Sequence, residues 1–179
     1  IEFATNYLGQ SGNMDPTGHV SIKPWPEGAS TISPDMSGVR IDGQVTNTGE
    51  GIAYDTEVYI KVTKADGTHL VEGGQNADGW KQIQVADAIG PGGDYGYAWI
   101  TYPQSDDPLG TWTYTITIDP DNMIAETNEN NNVLTGTFEV VEGVILPVDL
   151  EFSNSYSSST NNMDPTGYVF LKPWPEGAT

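Results

Sequence analysis

The sequence contains no cysteine, which excludes disulfides, thiolate metal sites and thiol nucleophiles together. Cations are scarce as well. Lys and Arg number 6 against 25 Asp and Glu, for a formal net charge of -19. Nucleic acid and anionic lipid are therefore not expected partners, because both are gripped by Lys and Arg at phosphate. Also missing is any apolar run of about 18 residues, the length that reads as a membrane-spanning helix. Histidine stands only at 19 and 69, and no Gly-x-Ser-x-Gly, His-Glu-x-x-His or phosphate-cradling glycine loop occurs. No catalytic residue is assigned, and the chain reads as a non-enzyme. It opens on Ile without a basic-then-apolar leader, so it reads as a mature or excised segment.

What is present begins with apolar content: 36% of residues are hydrophobic, enough for a core, so wholesale disorder is not expected. The acidity has two open readings, a salt-adapted surface or the use of divalent cations.

The chain repeats itself. Shifted by 149 residues, Asn13–Ala29 (NMDPTGHVSIKPWPEGA) falls on Asn162–Ala178 (NMDPTGYVFLKPWPEGA). The two segments differ only at His19/Tyr168, Ser21/Phe170 and Ile22/Leu171. The match reaches back through Tyr7/Tyr156 to Glu2-Phe3 and Glu151-Phe152. One full unit and the start of the next are therefore expected, as in an array whose neighbours stack or link end to end.

Within the unit the apolar period is two. Trp112, Tyr114, Ile116 and Ile118 alternate with threonines, an aromatic and aliphatic face set against a hydroxyl face. Only a strand separates those sets. Val39, Ile41 and Val45 alternate in the same way, as do Val58, Ile60 and Val62. Further strands are expected over Trp80–Val85, Asp94–Tyr102 and Leu134–Val141. Turn signals lie between them, including Asn47-Thr48-Gly49, Gly90–Gly93 and Asp119–Asn122. Many short strands without a convincing helix predict an all-β sandwich.

The order of these motifs, closing with DPDNMIAETNENNN over Asp119–Asn132, resembles CARDB, the cell-adhesion-related domain of bacterial and archaeal surface proteins. The resemblance covers roughly residues 36–141. It implies an immunoglobulin-like β-sandwich of about seven strands in an extracellular or cell-surface protein, used as a spacer or adhesion module. It also implies a first strand at about Glu2–Tyr7. The reading is then a sandwich over 1–141 with an inserted loop at about 9–34, a linker at 142–148, and an incomplete second repeat at 149–179. For the inserted NMDPTG and KPWPEG segments the resemblance implies no role.

Three groups of residues stand out as sites. Asp119, Asp121, Asn122, Glu126 and Glu129 form the densest cluster of oxygen ligands, suited either to Ca2+ or to capping the local backbone. Asp15 and its copy Asp164 sit in a turn that leads into a strand (Val20, Ile22; Val169, Leu171) and are open to the same two readings. Trp25 and its copy Trp174, each set between two prolines, suit a contact with a neighbouring unit, local packing, or stacking on a sugar ring. The aromatic stripes, Tyr95 with Tyr97 and Trp99, and Trp112 with Tyr114, are expected in the core.

The leading reading is a structural or adhesive repeat of an extracellular protein or filament, rigidified by calcium. In it, residues 149–179, through Phe152, Tyr156, Val169 and Leu171, add as a strand to a neighbouring repeat or identical subunit, head to tail. A plain alternative for that tail is a boundary cut at an arbitrary point. Two other functions are open: a carbohydrate-binding module for matrix or surface polysaccharide, needing coplanar exposed aromatics, and an accessory domain of a secreted hydrolase.

Overall fold

The computed structural model describes residues 1–4, 18–71 and 74–143, all within the first of two units into which the chain divides, Ile1–Gly143. Eight strands follow one another: β1 (Glu2–Phe3), β2 (Val20–Trp25), β3 (Gly38–Thr46), β4 (Ala53–Thr63), β5 (Trp80–Ile89), β6 (Asp94–Thr101), β7 (Gly110–Ile118) and β8 (Val133–Val140). All their pairings are antiparallel. They form two four-stranded sheets, the second in the order β5-β4-β7-β8. No helix occurs among the described residues, and the fold is the all-β sandwich that the two-residue period predicts.

The alternation is carried into burial. On β7, Trp112, Tyr114, Ile116 and Ile118 are fully buried, while the threonines between them face outward. On β4, Val58, Ile60 and Val62 are fully buried in the same way. Each such side chain contributes about 1.5–3 kcal/mol by leaving water. The Trp112 indole N–H, which would otherwise be stranded, donates to the Pro108 carbonyl at 2.8 Å. Tyr97 and Trp99 are buried, as the stripe predicts, but Tyr95 is 48% exposed. It stands near the start of β6, where the sheet gives out.

The first sheet departs from expectation. β3 pairs with β6 along one edge, while its other edge is filled twice. Glu2 and Phe3 pair with Thr46 and Val45, and Val20–Trp25 pair with Gly43–Gly38. β1 and β2 therefore lie end to end on one edge, which accounts for a strand beyond the expected seven. The segment read as an inserted loop at about 9–34 thus contains a strand built into the sandwich. Val20, Ile22 and Ile32 in it are fully buried. Pro24 is tolerated there because β2 pairs on one side only, and an edge strand can spare a backbone donor. Ile32 then reaches the other sheet, bridging to Val140 and accepting from the Val141 amide at 2.9 Å.

Candidate functional site

Three segments meet at one end of the sandwich: β1, the β3–β4 loop and the β7–β8 connection. Their meeting follows from the pairing. Glu2 of β1 lies opposite Thr46, and the β3–β4 loop begins at the next residue. β7 lies beside β4, so its exit at Ile118 emerges at the same end.

Asn47 fixes the loop. Buried at 4% exposure, it donates through Nδ2 to the carbonyls of Gly51 and Ile89, both at 2.8 Å. Its Oδ1 accepts from the Gly49 amide at 3.0 Å. Its backbone exchanges bonds with Gly93 and Gly92 at 2.9 and 2.7 Å. One side chain thereby ties the β3–β4 loop to the end of β5, and its own backbone adds the turn before β6.

The β7–β8 connection is held by its own carboxylates. Asp119 and Asn122 adopt left-handed φ values of 45° and 53°, which Asp and Asn accept more readily than other non-glycine residues. Asp119 Oδ1 accepts from the Met123 amide at 2.9 Å, and Oδ2 from the Ile124 amide at 2.7 Å. Glu129 Oε1 accepts from the Glu126 amide at 2.9 Å. Asp121 and Asn122 are exposed. The Asp119 and Glu129 carboxylates are thus engaged in capping backbone amides. That is the turn chemistry open in the sequence.

Glu126 behaves differently. Its side chain is 3% exposed and turned inward, with Oε1 at 2.8 Å from the backbone nitrogen of Ile1. That contact is an ion pair, while Oε2 has no hydrogen-bond donor among the described residues. Asn131 Nδ2 donates to Glu2 Oε2 at 3.2 Å, and Asn131 Oδ1 is buried without a donor among the described residues. Glu2, Glu50, Glu126 and Asn131 line a common cleft of 320 Å³. Of these, only Glu126 stands out in the sequence as a ligand. Glu2 and Asn131 lie 129 residues apart, and no local pattern joins them. Among the described residues, no three His, Asp or Glu side chains converge as a ready metal centre.

The remaining expected sites separate into two sets. Trp25 is half-buried at the end of β2, its ring 5.7 Å from the Arg40 guanidinium carbon. Asp15, Asp164, Trp174, Phe152, Tyr156, Val169 and Leu171 lie outside the described residues. On the outer face of the second sheet, Tyr59 and Trp80 lie 6.5 Å apart with their rings tilted by 52°. The Lys61 ammonium sits 4.8 Å over the indole. Sugar stacking needs a flat, open pair, and this one is neither.

The sequence profile of CARDB matches residues 30–136. The chain is similar to the CARDB domain of a Pyrococcus furiosus protein crystallised in complex with di-metal ions. That likeness has 22% identity and a TM-score of 0.47, covering 68% of this chain and 85% of that one. A solution structure of the same domain gives 24% identity and a TM-score of 0.47, covering 68% and 92%. A domain of a candidate cell surface protein from Methanosarcina acetivorans gives 19% and 0.37, covering 63% and 84%. No curated protein sequence matches the chain.

Proposed function

Because this chain belongs to the CARDB family of cell-surface-associated, adhesion-type domains, we propose that it is a non-catalytic structural module of an extracellular tandem-repeat protein. Its task is to space or present neighbouring modules. The observation that carries this reading is the relation between β2 and its echo. Within VSIKPW the residues packed inward include Val20, Ile22 and Pro24, and the copy VFLKPW keeps apolar residues there as Val169, Leu171 and Pro173. A segment that repeats the buried face of an edge strand encodes the opening of another sandwich.

Two finer parts belong to the same proposal. A calcium ion stiffens the module, and residues 149–179 join it to a neighbouring repeat or subunit by strand addition. Edge positions for such pairing exist in both sheets, since β2, β6, β5 and β8 each pair on one side only among the described strands. Linkage is tested by light scattering on the chain with and without residues 149–179. The shortened chain is expected to lose concentration-dependent association. An unchanged mass distribution would remove the linkage and leave the spacer reading standing. Cell-surface placement is tested by labelling intact cells with antibody before and after external protease. Signal that survives protease would contradict it.

A further inference from the structure

We propose that the cleft walled by Glu2, Glu126 and Asn131 binds one hard divalent cation, calcium by preference. The inference deepens the calcium part of the preceding reading and rests on it only for the identity of the ion. It moves the site from the Asp119 turn to Glu126 of the same connection, where Glu126 Oε2 and Asn131 Oδ1 have no donor among the described residues.

A buried carboxylate oxygen without a donor is a rare and costly arrangement. Here Glu126 Oε2 is one such atom and Asn131 Oδ1 is a second acceptor in the same state. The Asn131 amide is oriented to suit. Its Nδ2 is spent on Glu2 Oε2, which leaves Oδ1 as the open pole. Glu2 and Glu50 add carboxylates to the lining, and no Lys, Arg or His is among the lining residues. Among the described residues, the Ile1 amino nitrogen pairs with Glu126 Oε1 at 2.8 Å, so Oε2 is the oxygen of that carboxylate left to an ion.

The donor chemistry selects the ion. Carboxylate and amide oxygens without a thiolate or imidazole suit hard cations, not zinc or copper. Calcium takes six to eight oxygens, accepts amide carbonyls and waters among them, and tolerates irregular geometry. Magnesium demands a tight octahedron. A cleft of 320 Å³ holds an ion with several waters, each of which fills about 30 Å³ in the liquid. Two carboxylates and one amide make a weak site, in the range of about 0.1–1 mM found for extracellular modules. An ion there would clip the two-residue strand β1 to the β7–β8 connection, and so would secure the edge of the first sheet.

The test is calcium titration of the chelator-stripped full chain by calorimetry, with thermal unfolding followed in parallel. One calcium per chain and a rise in Tm are expected, with magnesium binding more weakly. Glu126→Gln should weaken calcium by about tenfold or more, since a weak oxygen site depends on its charge count. The exposed variant Asp121→Asn should bind as the parent does. Asn131→Asp, which adds a carboxylate to the lining, should bind more tightly and guards against a Glu126 variant that fails to fold. Absence of any saturable calcium effect in the parent would overturn the proposal. So would calcium binding that survives undiminished in Glu126→Gln, or that disappears in Asp121→Asn. None of these results bears on the spacer role, which is read by force rather than by ions.

Discussion

Tyr114 of β7 lies directly opposite Gly136 of β8, and its phenol ring covers that glycine so closely that a Cβ there would collide with the ring and hydroxyl. The large side chain is fully buried because its cross-strand partner has none. Gly43 stands in the same relation to Tyr97, whose hydroxyl would lie 2.5 Å from an added Cβ. Gly136→Ala should destabilise the sandwich by about 1–3 kcal/mol, the usual cost of overpacking. Equilibrium urea unfolding checks this, and Thr137→Ala on the outward face should cost much less.

Asn47→Ala should be among the most damaging polar substitutions. It strands two carbonyls and one amide at the β3–β4 loop, each costing about 1–3 kcal/mol when left buried and unpaired. Asn47→Asp should be no better, because it points a carboxylate at the Gly51 and Ile89 carbonyls. Chemical denaturation of both variants is the check.

Asp119→Ala should lose about 1–3 kcal/mol through the Met123 and Ile124 amides it leaves without acceptors. The loss should be equal in calcium and in chelator, since both carboxylate oxygens serve the backbone. A loss that appears only with calcium present would mark the turn as an ion site.

Trp25→Ala removes the ring that receives Arg40. An isolated module should lose about 0.5–1 kcal/mol, the usual size of an exposed cation–π contact. If the half-exposed indole also touches the next unit, the same change should weaken association between units in sedimentation runs. Unchanged association would confine Trp25 to local packing.

The strands with strict alternation were legible because one face is dry. β7 and the inner positions of β3 and β4 follow from the sequence residue by residue. β5 runs on to Ile89, past the expected Val85, because its outward residues are polar or small and leave no clear period. The strand that begins at Val20 and Ile22 was legible after the Asn13–Gly18 turn, but its continuation to Trp25 was obscured by Lys23-Pro24-Trp25, a tripeptide that reads as a rigid loop until its edge position is known. Acidic density pointed to the Asp119–Asn132 connection as a whole, yet it gave no means of telling Asp119, whose carboxylate caps backbone amides, from Glu126, whose carboxylate is buried. That difference depends on β1 folding across the sheet end, and long-range pairing of this kind leaves no local trace.

If each unit is an autonomous load-bearing sandwich in a series, single-molecule stretching of a chain carrying two copies of the unit reads that property without an intermediary. One rupture per unit is expected, each releasing on the order of 500 Å of contour, as roughly 140 extended residues must. Smooth extension without force peaks, or ruptures of unrelated length, would contradict the spacer role.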